Sequence, residues 1–84
     1  MAISVVVAVE PVADKLIPKI VERMSKLRTG DGRRGCDMGP LVTKEHRDKV
    51  ASYIDIAEKD GATVVVDGRN PTVDGEPNGF WLGP

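Results

Sequence analysis

The chain has 84 residues, of which 12 are Lys or Arg and 13 are Asp or Glu, giving a formal net charge of −1 at pH 7. Such a balance creates no net field that would attract nucleic acid or an anionic membrane, and no apolar run approaches the ~20 residues of a membrane span. Its length suits one small domain. The single cysteine excludes an internal disulfide and favours a reducing, cytoplasmic setting.

The first predicted element is a strand over Val5–Val9, because a continuous run of Val and Ala is typical of a strand inside a sheet covered on both faces. An amphipathic helix is predicted from about Val12 to Arg28. Its apolar residues recur at helical spacing, namely Leu16, Ile17, Ile20, Val21, Met24 and Leu27. Pro18 interrupts this pattern, and we expect a kink or a fresh helix start there, since an interior proline removes a helical hydrogen bond.

Residues 29–40 contain four glycines and no periodicity, so they are predicted to form an exposed loop. A second helix follows. Thr43 is its predicted N-cap, and Glu45 lies in the first turn, where the helix dipole favours an acid. Gly61 is expected to end the helix, as a residue past the C-terminus that can adopt positive φ. Its buried stripe is predicted to consist of Val50, Tyr53, Ile54 and Ala57.

Two further short strands are predicted over Ala62–Val66 and Phe80–Leu82, with a turn at residues 67–68 and a loop over residues 69–78. The fold class is therefore α/β, in the order strand, helix, loop, helix, strand, strand. Met1 stands almost directly before an apolar strand, and the largest aromatic residues lie close to the other end. Because a domain seldom opens in its own core, we expect the chain to be a piece of a larger protein.

Cys36 is the one candidate nucleophile, because Arg33 and Arg34 would favour its thiolate and a glycine-rich loop would expose it. Its only possible histidine base is His46, and nothing in the sequence brings the two together. A bystander loop cysteine is the favoured interpretation. The loop glycines follow a helix rather than a strand, so they do not predict a phosphate-binding loop, and one His with one Cys predicts no metal site.

His46 and Lys49 are the remaining candidates. They lie three residues apart near the start of the second helix, so both point to one side of it. With the free amide groups of the helix start they could contact an anionic or hydroxyl-bearing ligand. From spacing alone, two solvated polar residues are the favoured interpretation.

Five segments carry a family resemblance, and they follow one another in register along nearly the whole chain: Met1 to Ser4, Glu22-Arg23, Met38 to Thr43, Asp67 to Arg69 and Asn78 to Pro84. Together they resemble the aldehyde dehydrogenase superfamily. Within it, the chain is similar to the CoA-acylating methylmalonate-semialdehyde dehydrogenase branch.

The resemblance implies that the chain is a partial catalytic domain over residues 1–84. In the family, the catalytic cysteine is directly followed by Met-Ala, so Met1 would come immediately after the nucleophile and lie against the substrate pocket. Cys36 would not be the family cysteine. The chain alone would then hold no catalytic residue, bind no cofactor and be inactive. Its partner would be the remainder of the parent polypeptide, and the parent would be a homo-oligomer.

For the parent enzyme, the resemblance implies oxidation of a semialdehyde to an acyl-CoA. A cysteine thiolate attacks the aldehyde, a hydride passes to NAD, and the acyl group passes from the thioester to coenzyme A. His46 and Lys49 match two polar positions that approach the nicotinamide-side ribose and the phosphates of NAD. Two alternatives remain open: a fragment of a hydrolytic, non-acylating aldehyde dehydrogenase, and a stand-alone α/β binding module.

Overall fold

The computed structural model describes residues 3–84 and contains two α-helices joined by a loop with a short 3₁₀ turn. Helix α1 spans Ala13–Met24, the 3₁₀ turn spans Gly32–Arg34, and helix α2 spans Lys44–Lys59. Within residues 3–84, neither helix combines the length and apolar character needed to cross a membrane.

Helix α1 forms where the apolar spacing predicts it, with Asp14 in its first turn and Arg23 in its last. It is shorter than predicted, since it ends at Met24 and the N–H of Ser25 donates to the carbonyl of Val21 at 3.0 Å. Pro18 lies inside this one continuous helix and does not begin a new one. A proline removes only a single N–H donor, and the turns on either side keep their own bonds.

The loop after α1 is closed by backbone hydrogen bonds around Arg28. The N–H groups of Asp37 and Met38 donate to the Arg28 carbonyl at 2.8 and 3.1 Å, and the Arg28 N–H donates to the Asp37 carboxylate at 2.9 Å. An isolated parallel bridge joins Thr29 to Met38. The predicted exposed loop is therefore an ordered one that returns residue 38 to the end of α1.

Helix α2 begins and ends as the sequence predicts. The Thr43 hydroxyl accepts a hydrogen bond from the His46 N–H at 3.1 Å, and Gly61 adopts a φ of +94° just past the C-terminus. The predicted stripe is only partly correct, because Tyr53 is 56% exposed. Its other members, Val50, Ile54 and Ala57, are half-buried.

The three predicted strands are absent from residues 3–84, so the predicted strand, helix, loop, helix, strand, strand order is not observed. In Val5–Val9, the four valines expose 60 to 86% of their surface. A strand forms only when a neighbouring strand takes up its N–H and C=O groups, and the described residues supply no such neighbour. The same reason applies to Ala62–Val66 and Phe80–Leu82.

Trp81 is the one large hydrophobic residue that is buried within residues 3–84, at 7% exposure. Its indole Nε1–H donates to the Glu76 carbonyl at 2.7 Å. The ring lies so close over Gly79 that a Cβ at that position would overlap it. Gly79 therefore has to lack a side chain for the indole to reach its site.

The last residues of the chain form backbone hydrogen bonds with the segment before α2 and with the segment after it. The Leu41 N–H donates to the Phe80 carbonyl at 2.9 Å, and the Gly83 N–H donates to the Gly68 carbonyl at 2.7 Å. A Cβ on Gly68 would overlap the backbone of Gly83 and Pro84. Three of the segments that carry the family resemblance thus lie against one another in space.

Candidate functional site

The start of α2 is the candidate site. Thr43 caps the helix, and His46 and Lys49 follow on its first turns, both exposed. Residues three apart on a helix face the same side, so the structure brings these two predicted residues together on one face, called here the 46/49 face. A capped helix start carries partial positive charge from its free N–H groups.

The charged side chains at this helix start differ in whether they form an ion pair. The Asp48 carboxylate accepts hydrogen bonds from Lys44 Nζ and from Arg47 Nε, both at 2.7 Å. These bonds lower the pKa of Asp48 below its ordinary value. Lys49 makes no ion pair with any of residues 3–84. Its ammonium group is therefore the cation at this helix start that can bind an external anion.

The other predicted site residues do not join this face. Met1 lies outside the described residues. Cys36 is half-buried and lines a different cleft, of about 650 Å³, together with Met24, Arg28 and Arg34. His46 is not part of that cleft's lining. The structure therefore does not bring the cysteine and the histidine to a common cleft, and the bystander role of Cys36 stays a prediction.

Sequence reasoning missed a charged cluster around Arg69, a residue predicted to begin a loop and to lie in a segment that carries the family resemblance. The guanidinium donates to both oxygens of Asp67 at 2.6 to 3.1 Å and to Asp55 Oδ1 at 2.5 Å, and it lies 3.7 Å from Glu58 Oε1. Asp55 and Glu58 belong to α2, whereas Asp67 belongs to the following turn. The three-residue spacing of these two acids and the Asp-Gly-Arg sequence were the available signals.

A sequence model of the aldehyde dehydrogenase family matches residues 1–84. The chain belongs to the aldehyde dehydrogenase family. The family predicted from the sequence segments is thereby confirmed.

Among aldehyde dehydrogenases, malonate-semialdehyde dehydrogenase from Pseudomonas aeruginosa is 52% identical over 85 residues, covering 99% of this chain and 17% of the relative. The acylating mitochondrial methylmalonate-semialdehyde/malonate-semialdehyde dehydrogenase from Bos taurus is 41% identical and covers 100% of this chain and 16% of the relative. The chain therefore spans about a sixth of the length of these relatives.

Solved aldehyde dehydrogenase structures match the conformation of the chain. Methylmalonate-semialdehyde dehydrogenase from Oceanimonas doudoroffii aligns with a TM-score of 0.83 and 43% identity over 90% of this chain and 16% of that chain. Betaine aldehyde dehydrogenase from Staphylococcus aureus, in complex with NAD⁺, aligns with a TM-score of 0.81 and 34% identity over 89% of this chain and 15% of that chain. The chain thus has the conformation of the matching part of the aldehyde dehydrogenase fold.

The Arg69 cluster makes the stability of this aldehyde dehydrogenase segment depend on pH. Hydrogen bonds from the side chain and the backbone N–H of Arg69 lower the pKa of Asp67 to about 2. In an unfolded chain the pKa of aspartate is about 3.9. Because the folded value is the lower one, the ion pair stabilises the fold above about pH 4, and this contribution is lost as the pH falls towards about 2.

We therefore expect the urea concentration at half-unfolding to fall between about pH 4 and about pH 2, and Asp67→Asn to reduce that fall. Glu10→Gln is the control, because Glu10 is exposed and takes part in none of the ion pairs of residues 3–84. This variant should show the same decrease in the urea midpoint as the unmodified chain. An equally steep fall in the Asp67 variant would contradict the assignment.

Proposed function

We propose that this chain is a segment of the catalytic domain of an NAD-dependent, CoA-acylating malonate- or methylmalonate-semialdehyde dehydrogenase. The observation that carries the proposal is the 52% identity to the Pseudomonas aeruginosa malonate-semialdehyde dehydrogenase over 99% of this chain. The acylating Bos taurus relative and the Oceanimonas doudoroffii structure, at 41% and 43% identity, support the same branch. A cytoplasmic location stays a prediction, because the Bos taurus relative is mitochondrial.

In the proposed enzyme the nucleophile would not be Cys36, and Met1 would lie against the substrate pocket. The position of Cys36 supports this division of roles. It is half-buried in a loop, and its cleft is lined without the chain's one histidine. The residues of this chain would therefore shape the substrate pocket and contact the cofactor rather than form the covalent intermediate.

The 46/49 face fits the ribose and phosphate groups of NAD. Lys49 offers an exposed ammonium group with no ion-pair partner in residues 3–84, and the capped start of α2 adds partial positive charge. The imidazole of His46 can donate or accept a hydrogen bond with a ribose hydroxyl. When bound, NAD supplies the hydride acceptor for the oxidation.

The test compares the chain alone with the enzyme translated from the reading frame extended on both sides. The extended enzyme is expected to form NADH from malonate semialdehyde beyond one equivalent per active site only when coenzyme A is present, with an acyl-CoA as product, because the thioester forms before coenzyme A is needed. The chain alone should form no NADH above a protein-free blank. NADH formation by the chain alone that disappears with Cys36→Ala would contradict the proposal.

A hydrolytic aldehyde dehydrogenase is the second candidate, because the chain also aligns, at a TM-score of 0.81, with an aldehyde dehydrogenase that is not named as a semialdehyde dehydrogenase, the betaine aldehyde dehydrogenase. It would form NADH at the same rate with and without coenzyme A, and its product would be the free acid. A reading frame that begins at Met1 and encodes a stable monomer would favour the stand-alone α/β binding module instead.

A further inference from the structure

Arg69 holds α2 from one side. Its guanidinium contacts Asp55 and Glu58 on the helix and Asp67 on the turn, and its side chain is only 23% exposed. Removing any one of these acids would leave the other contacts of the guanidinium, whereas removing Arg69 would remove every ion pair that joins the helix to the turn within residues 3–84. The four side chains form one network whose centre is the guanidinium.

This network lies on the side of α2 that is opposite to the 46/49 face. An α-helix turns by about 100° per residue, so the midpoint between Asp55 and Glu58 lies about 180° around the axis from the midpoint between His46 and Lys49. The contacts of Arg69 therefore leave the 46/49 face free while they limit rotation and tilt of the helix.

We infer that Arg69 is a positioning residue that orients α2 so that His46 and Lys49 are presented to the cofactor. This inference rests on the proposed role of the 46/49 face in NAD binding. Arg69 does not touch the cofactor in this arrangement; it acts through the helix. Lysine can replace its charge but not its geometry, since one ammonium group cannot make the paired bonds to Asp67 while also reaching Asp55.

The experiment measures the dissociation constant for NAD by titration calorimetry on the extended enzyme. Arg69→Ala is expected to raise it roughly three- to tenfold, as for the loss of coupling within one ion-pair network. Arg69→Lys should recover part of this loss. Arg33→Ala is the matched control, because it removes an arginine whose carboxylate partner within residues 3–84 is Asp31, away from α2, and it should leave the dissociation constant unchanged.

A double variant separates positioning from simple stabilisation. If Arg69 acts through the 46/49 face, Arg69→Ala should have no further effect on NAD binding in a His46→Ala, Lys49→Ala background. An equal effect in both backgrounds, or a lower melting temperature with unchanged NAD binding, would overturn the inference. Should Arg69→Ala not fold, Asp55→Asn with Glu58→Gln weakens the same contacts from the helix side and should raise the dissociation constant in the same way.

The two proposals fail in distinguishable ways. If Lys49→Ala alone, with Arg69 intact, leaves NAD binding unchanged, the proposed NAD face is wrong and the positioning role is overturned with it. If Lys49→Ala weakens NAD binding while Arg69→Ala does not, the NAD face stands and only the positioning role is overturned.

Discussion

Gly79→Ala is expected to destabilise the chain by about 1 to 3 kcal/mol, the usual cost of forcing an extra carbon into a packed site. The added Cβ would overlap the indole of Trp81. The ring cannot simply rotate away, because it is 7% exposed and its Nε1–H is bonded to the Glu76 carbonyl. Relief of the overlap therefore has to break that bond or shift the backbone.

Trp81 is the only tryptophan, so its fluorescence reports directly on this site. The variant should show emission shifted to longer wavelength and a lower urea midpoint. Gly39→Ala is the matched control, because nothing lies within 4 Å of a Cβ at that position. It should resemble the unmodified chain in both measurements. Equal behaviour of the two variants would show that the indole does not occupy this site in solution.

Lys49→Ala is expected to raise the Michaelis constant of the extended enzyme for NAD by roughly 5- to 30-fold, as for the loss of one charged hydrogen bond. The physical reason is that Lys49 has no carboxylate partner in residues 3–84, so its charge is available to the cofactor phosphates. His46→Ala should have a smaller effect. Acyl transfer to coenzyme A at saturating NAD should change little, because the proposal gives neither side chain a contact with the thioester.

Lys44→Ala provides the matched control for this prediction. It removes a cation from the same helix start, but one already paired with Asp48 at 2.7 Å. Its effect on the Michaelis constant for NAD should be clearly smaller than that of Lys49→Ala. Equal effects would indicate a general electrostatic attraction, and no effect from either variant would leave the 46/49 face as a solvated helix surface.

The sequence alone was sufficient for helix α2 and for the placement of His46 and Lys49. Thr43 as the cap, Glu45 in the first turn and Gly61 at positive φ are local features, and the structure contains all three. Local signals succeed there because a helix satisfies its hydrogen bonds within a few residues. The family was also predictable, since its segments are read in order along the chain.

Only the tertiary structure decided whether the valine-rich segments form strands and which residues Arg69 contacts. Val5–Val9 has the composition of a strand, yet a strand depends on neighbours that no local pattern can supply, and none is present in residues 3–84. Arg69 reads as a loop residue, because its carboxylate partners on α2 lie 11 and 14 positions away in sequence. The bond from Leu41 to Phe80 likewise exists only once the chain has folded back on itself.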